Sequence, residues 1–169
     1  MQIITFTVAG QSYAIPSRAV IEVLPLVPAR PLPLLPDYIP GVFTYRGRLV
    51  PLVDLGRRFG TPPAAGAGRR RLSTRVIVVE FPAPPPRGDA LAESDPSRAV
   101  RLGLIADDVV SIQVAAGAEP AAGPTTHAPF LGRLLRLPEG TTQVVLVEGL
   151  LPPDLLDGLA AAVAGAAGP

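Results

Sequence analysis

The 169-residue sequence has no cysteine and no tryptophan, and its only histidine is His127. Without cysteine, a disulfide scaffold and a cysteine-ligated metal are both excluded. His127 stands in a loop between Thr126 and Pro129, where no nucleophile-elbow sequence supplies the serine of a catalytic triad. Neither a Walker A loop nor a G-x-G-x-x-G loop is present. The sequence therefore predicts a protein that is not an enzyme and has neither a cofactor nor a metal site.

Lysine is also absent, so all 15 basic residues are arginine, and the net charge is only +1. Such a balance provides no general attraction to DNA or to an anionic membrane. The arginine run 69–71 lies in a Gly/Ala loop without interleaved aromatic residues, which favours a solvated loop over a phosphate-binding patch. A small β-barrel that binds nucleic acid is the alternative from a different class. It would need aromatic stacking faces, and aromatic residues are only 5% of the chain.

Long hydrophobic runs are lacking as well. The N-terminal residues MQIITFTVAG have no basic region and no continuous apolar stretch, so they do not resemble a signal peptide. The window LLDGLAAAVAGAAG is interrupted by Asp157 and is shorter than the ~20 residues of a membrane-spanning helix. We expect a cytoplasmic protein that does not insert into a membrane.

The 48% of hydrophobic residues are enough for a core, and they alternate with polar residues over short segments. The N-terminal ITFTVAGQSYAI predicts a hairpin with Gly10 in its turn. Further strands are predicted over 41–45, 49–53, 75–81, 100–115 with a kink at 107–108, 131–137 and 142–146. Between 25 and 40, repeated prolines require extended chain without a central strand.

Helices are predicted in only a few places. Ser17 is expected to cap a short helical turn, and Asp54 is expected to cap a short helix over 55–59 that Gly60 closes. The window 153–164 predicts a C-terminal helix with Asp154 near its N-terminus. Many short strands with so little helix indicate a mostly-β protein built as a barrel or sandwich.

The stretch GVFTYRGRLVPLVDLGRRFG, residues 41–60, combines a predicted hairpin with four arginines. Spacing alone makes Arg46 an ordinary turn residue and Glu22 a surface acid, while the arginines at 48, 57 and 58 are expected to be solvated charges. The adjacent pair Asp107 and Asp108 is expected to point to opposite faces of a strand, so that the two carboxylates do not converge.

The same stretch resembles the signature of CheW-like domains, which carry G-V-x-N-x-R-G before a V-P-hydrophobic-hydrophobic-D-L strand end. Other segments follow in the family's order: FTVAGQSYAIPSRAVIEVLP, PLLPDYIPGV, RVIVVEF, RLGLIADDVVSI and TTQVVLVEGLL. The resemblance covers nearly the whole chain.

This resemblance implies a mostly-β fold of two small five-stranded SH3-like barrels packed side by side. A short internal helix and a C-terminal helix complete it, and a groove lies between the barrels. Residues 1–169 would form a single domain, with surface loops at about 61–73 and 82–99. Family members are adaptors without catalytic activity, which link methyl-accepting chemoreceptor tips to the regulatory domain of a CheA-type histidine kinase. Such a protein is cytoplasmic and is recruited to membrane receptor arrays.

The resemblance also assigns receptor-binding residues. Glu22 and Arg46 match an acid and an arginine that lie beside each other near the groove, and the Arg46 guanidinium is expected to fork to that carboxylate. Val20 and Gly41 match neighbouring positions, while Asp107 and Val109 match the contribution of the second barrel.

A narrower resemblance is to the WspB branch, carried by RLSTRVIVVEF, VFTYRGRLVPLVDL, APFLGRLL and TTQVVLVEGLL. It implies a surface-sensing pathway whose kinase phosphorylates a diguanylate cyclase and so controls cyclic-di-GMP. General chemotaxis and twitching motility are the alternatives within the adaptor class.

Overall fold

A computed structural model describes residues 1–61, 71–83, 99–115, 120–122 and 128–166. Within these residues the chain forms ten strands and two helices. The strands are β1 (Gln2–Val8), β2 (Gln11–Pro16), β3 (Val20–Pro25), β4 (Gly41–Tyr45), β5 (Arg48–Asp54), β6 (Arg75–Pro82), β7 (Ala99–Val114), β8 (Pro120–Ala122), β9 (Leu131–Leu137) and β10 (Gly140–Val145). The helices are α1 (Leu55–Arg58) and α2 (Pro153–Ala166). The predicted mostly-β class is confirmed.

Two sheets share the long strand β7. The first sheet has the order β3-β6-β7-β5-β4, in which β6 is antiparallel to β7 and β5 is parallel to it. The second sheet continues from the other half of β7 in the order β7-β1-β2-β10-β9-β8. These sheets form the two SH3-like barrels. The second one counts six described segments rather than five, because it includes the short β8.

A bulge in β7 marks the change from one sheet to the other. Thr5 of β1 pairs with Val110, and Thr7 pairs with Asp107, so β7 carries one residue more than its partner over this interval. Asp108 within it has a φ of 45°. The predicted kink at 107–108 is confirmed, since it is the bulge.

Alternating side chains of the central strands serve different cores. In β6, Ile77 and Val79 face a large core that both sheets and α2 share, whereas Val76 and Val78 face the interior of the first barrel. A third, smaller cluster around Ile3 lies inside the second barrel. The same strand therefore contributes to two cores, and the alternation also determines which side of β6 each of its polar residues faces.

Predictions about local structure had mixed outcomes. The backbone N–H of Arg57 donates to Asp54 Oδ1 at 3.2 Å, so the predicted cap of α1 is confirmed. The cap at Ser17 is wrong: a 3-10 turn begins at Ser17 itself after Pro16, without a side-chain cap. Most of the predicted loops at 61–73 and 82–99, arginines 69 and 70, and His127 lie outside the described residues.

Candidate functional site

The β4–β5 hairpin ends in a two-residue turn made by Arg46 and Gly47. Their φ angles are 47° and 75°, and Tyr45 pairs with Arg48 across the turn. Positive φ at both central residues is the signature of a type I′ turn, whose twist matches that of the strands. Glycine adopts this conformation at no cost, whereas it is unfavourable for an arginine. The turn places Arg46 at the tip of the hairpin, where its side chain is 65% exposed.

Glu22 on β3 meets this tip. Its Oε2 accepts a hydrogen bond of 2.6 Å from the Tyr45 hydroxyl and one of 3.3 Å from Arg46 Nη2. The guanidinium carbon of Arg46 also lies 5.1 Å from the centroid of the Tyr45 ring. The structure thus brings together Glu22 and Arg46 as the family resemblance implied. The contact uses one guanidinium nitrogen, however, and not the expected fork.

Tyr45 completes this cluster and was missed in the sequence. The residue is only 5% exposed, since its ring belongs to the core of the first barrel. Its hydrogen bond to Glu22 raises the pKa of the phenol, because loss of the proton would set two anions side by side, and burial raises it further. Strand alternation could have indicated its role. Phe43 and Tyr45 share the inward face of β4, and Tyr45 is the last residue before the turn. We call Glu22, Tyr45 and Arg46 the tip cluster.

A second ion pair lies at the same end of the first barrel. Glu80 of β6 and Arg101 of β7 are cross-strand partners, and Arg101 Nε donates to Glu80 Oε2 at 2.6 Å. Glu80 follows Val78 at a spacing of two, so it shares the face that lines the barrel interior. The hydrogen bond to Glu22 and burial, which raise the pKa of Tyr45, are larger effects than the charges of Arg46 and, to a smaller extent, Arg101, which lower it. Nothing in the sequence alone indicated this pair.

Gly41 stands at the opposite end of the hairpin from the tip cluster. It pairs with Leu52, four residues or about 13 Å from Tyr45 along the strand. Its φ is 152°, and a Cβ there would lie 2.2 Å from the carbonyl oxygen of Arg30. The glycine therefore allows close approach of the extended segment, which bridges Arg30 to Val42.

The two valines predicted for the site are partly buried. Val20 pairs with Val79 at the start of β3, two residues before Glu22, and packs against the shared core. Val109 packs against the same core from β7, within the bulge. Both valines therefore pack on the core that the two sheets share.

Asp107 and Asp108 face a turn that precedes β6. Thr74 Oγ1 donates to Asp107 Oδ1 at 2.6 Å, and Thr7 Oγ1 donates to Asp108 Oδ2 at 2.9 Å. A hydrogen bond from Ser73, and then that from Thr7, lowers the pKa of Asp108. The predicted divergence of the two carboxylates is wrong, because the bulge interrupts the strand alternation and both bind neighbouring residues of one turn. Asp107 has no contact with the tip cluster among the interactions that the structure describes.

Comparison with known proteins decides the family. A model of the CheW-like domain matches residues 2–152 of the chain. The chain belongs to the CheW-like domain family. That family is one of non-catalytic scaffolds.

Individual CheW-like relatives agree. The chemotaxis protein CheW of Helicobacter pylori is 33% identical over 79 residues, which are 47% of this chain and 46% of that protein. The chemotaxis protein CheW of Rhizobium meliloti is 36% identical over 78 residues, which are 46% and 47% of the two chains. The chain thus spans about half the length of these curated relatives. The crystal structure of the scaffolding protein TtCheW from Thermoanaerobacter tengcongensis has the same fold, with a TM-score of 0.67 and 24% identity over 88% of this chain and 90% of that one.

The structure differs most from the sequence-based expectation at Arg58 of this CheW-like chain. Its Nε donates to the carbonyl oxygen of Leu150 at 2.6 Å, and its guanidinium lies 4.3 Å from the Phe130 ring and 5.0 Å from the Tyr38 ring. The prediction of a solvated charge is therefore wrong, because Arg58 connects α1 to residues that flank β9 and β10. Arg48 is exposed as predicted, and Arg57 is exposed although it contacts Asp54.

Within the described ranges, no group of three or more His, Asp or Glu side chains is placed to hold a metal ion. Neither helix of the described part of this CheW-like chain is long and apolar enough to cross a membrane.

Proposed function

We propose that this protein is a non-catalytic adaptor that couples a methyl-accepting chemoreceptor to a CheA-type histidine kinase. Membership of the CheW-like family supports the adaptor role. The observation that carries the assignment of the receptor site is the tip cluster, in which an exposed ion pair stands on a buried tyrosine. The adaptor would work in the cytoplasm at membrane receptor arrays, as a single domain over residues 1–169.

We propose that the receptor-binding surface combines this charge pair with an apolar face of β7, which lies at the opposite end of that strand from the tip cluster. Val20 and Val109 support it, and the outward face of β7 presents the exposed side chains of Val110, Ile112 and Val114. A contiguous apolar face of this kind is tolerated in water when a partner covers it. Because receptor tips are helical hairpins, we propose that a helix of the receptor lies along this surface. Asp107 and Gly41 contribute by fixing the bulge and the hairpin rather than by contact.

The exposed pair of Glu22 and Arg46 suits recognition more than stability. Their side chains are 41% and 65% exposed, so the ion pair contributes under about 1 kcal/mol to folding. A charge pair at an interface mainly determines orientation and the choice of partner. Reversing the charge of Arg46 would therefore change binding while the fold is retained.

The test replaces Arg46 with glutamate. We expect Arg46→Glu to keep the circular dichroism spectrum of the native protein and to lose at least about tenfold in affinity for the cognate receptor signalling tip, measured by calorimetry. Arg48→Glu is the matched control, since Arg48 is exposed one residue beyond the turn and undergoes the same change of charge. It should bind as the native protein does.

Binding to the cognate kinase regulatory domain separates the receptor site from the adaptor role. Arg46→Glu should retain stoichiometric kinase binding. A folded Arg46→Glu that binds the receptor normally would contradict the site, and a native protein that binds no kinase regulatory domain would contradict the adaptor role.

Within the adaptor class, we propose a Wsp-type surface-sensing pathway that controls cyclic-di-GMP. Support comes from the strings RLSTRVIVVEF, VFTYRGRLVPLVDL, APFLGRLL and TTQVVLVEGLL, which resemble the WspB branch. A neighbouring gene for a diguanylate cyclase response regulator would favour this pathway, and neighbouring flagellar genes would favour general chemotaxis.

A further inference from the structure

We propose that Tyr45 is a positioning residue of the receptor-binding pair: its hydroxyl holds the Glu22 carboxylate while its ring supports the Arg46 guanidinium. This inference rests on the proposed function, because it treats Glu22 and Arg46 as the groups that the receptor recognises. It adds a side chain that is itself almost inaccessible to a partner, since Tyr45 is 5% exposed.

The position of the Tyr45 hydroxyl is determined by the core of the first barrel. The ring lies in the cluster that contains Val50 and Leu52, and its centroid is 6.3 Å from that of Phe43 at an interplanar angle of 53°. Interiors are close-packed, so such a ring has little freedom to move. The hydroxyl at its end is therefore a fixed donor at the surface of the barrel.

The contacts of Glu22 depend on this donor. One carboxylate oxygen, Oε2, accepts both hydrogen bonds, and the bond from the Tyr45 hydroxyl is the shorter at 2.6 Å against 3.3 Å from Arg46. Glu22 and Arg46 are exposed, and long exposed side chains lose rotamer freedom when they are held in one geometry. Tyr45 contacts both of them, by its hydroxyl and by its ring face, and so it preorganises the pair before the receptor binds.

The ion pair of Glu80 and Arg101 lies near Tyr45 at the same end of the barrel. Arg101 influences Tyr45 electrostatically, and its guanidinium is engaged by Glu80 at 2.6 Å. The charges of Glu80 and Arg101 therefore neutralise each other, and the Tyr45 hydroxyl donates to Glu22.

The test compares Tyr45→Phe with the native protein. Phenylalanine keeps the ring in the core and removes only the hydroxyl, and Glu22 is exposed enough for water to replace the lost hydrogen bond. We expect an unchanged thermal midpoint and about tenfold weaker binding to the cognate receptor signalling tip, as loss of a hydrogen bond to a charged group implies. The matched control is Tyr13→Phe, which removes a hydroxyl from the second barrel, where the ring lies 4.8 Å from Phe59. It should bind normally.

A second measurement distinguishes positioning from direct contact. In a Glu22→Ala background, Tyr45→Phe should have no further effect on receptor affinity, because the hydroxyl acts only through the carboxylate. An equal loss in both backgrounds would mean that the hydroxyl meets the receptor itself, and the positioning role would be overturned.

The remaining outcomes separate this inference from the proposed function. If Arg46→Glu loses receptor binding while Tyr45→Phe binds normally, the role of Tyr45 is wrong and the receptor site stands. If Arg46→Glu also binds normally, the receptor site and the inference fall together. A Tyr45→Phe variant that loses its folded spectrum would show a structural hydroxyl, and this too would overturn the inference.

Discussion

Arg46 and Arg58 lie at the two ends of one segment, the first at the hairpin tip and the second at the end of α1. Both guanidinium groups lie over aromatic rings, at 5.1 Å for Arg46 and at 4.3 and 5.0 Å for Arg58. Arg46 pairs with an exposed carboxylate of its own barrel, whereas Arg58 donates to a backbone carbonyl 92 residues away. A similar ring contact thus stands at an exposed tip, for which we propose recognition, and at a helix end that connects the two barrels.

We expect the largest loss of stability from a substitution that breaks the contact between the barrels. Arg58→Ala should reduce the free energy of unfolding by about 2–3 kcal/mol, because it removes a charge-assisted hydrogen bond and the ring contacts. Arg57→Ala and Arg46→Ala should each cost less than about 1 kcal/mol, as exposed arginines do. Urea unfolding followed by circular dichroism measures all three variants. Equal losses would refute the contrast between the two arginines.

Two glycines, one near each of these arginines, allow the same comparison with an effect on stability of intermediate size. Gly47 at the tip and Gly60 after α1 have φ angles of 75° and 71°, and a Cβ at either would meet no atom within 4 Å. Alanine at each position should therefore cost about 1 kcal/mol of stability through backbone strain alone. Only Gly47→Ala should also weaken receptor binding, because it distorts the turn that presents Arg46. Calorimetry of both variants against the receptor tip tests this, and weakened binding in Gly60→Ala would count against a local tip site.

The smallest expected effect concerns Asp108, which neither arginine contacts in the described structure. Hydrogen bonds from Ser73 and Thr7 lower its pKa. A lowered pKa stabilises the folded state above the pKa of the unfolded chain, and the gain disappears as the pH falls through the folded value. Asp108→Asn should thus be less stable than the native protein at pH 7, and the difference should shrink below about pH 4. Unfolding curves of both proteins between pH 2 and 7 test this prediction. A stability difference that does not change with pH would show that the ionisation of Asp108 is not its cause.

Most strands could be predicted because hydrophobic alternation and turn residues are local signals. Gly41–Tyr45 was predicted with its observed bounds, and the kink in β7 was visible as two adjacent aspartates inside an apolar run. Ser17 failed because a residue that favours helix caps can equally occupy the first position of a 3-10 turn.

The candidate site was less predictable, because it depends on which strands meet. Glu22 and Arg46 are 24 residues apart, and only a family resemblance suggested their contact, which the structure bears out. Tyr45 was missed because its ring is buried while its hydroxyl reaches the surface, and composition does not separate these roles. Arg58 was misjudged since its partners, Phe130 and Leu150, come from distant parts of the chain.

The sharing of β7 has a consequence for synthesis on the ribosome. The five strands of the first barrel are all complete once residue 106 has emerged, whereas β1 and β2, made earlier, belong to the second. The parallel partner of β2 is β10, in which Gln143 pairs with Tyr13. The β1–β2 hairpin therefore keeps one edge of β2 open until β10 has been made.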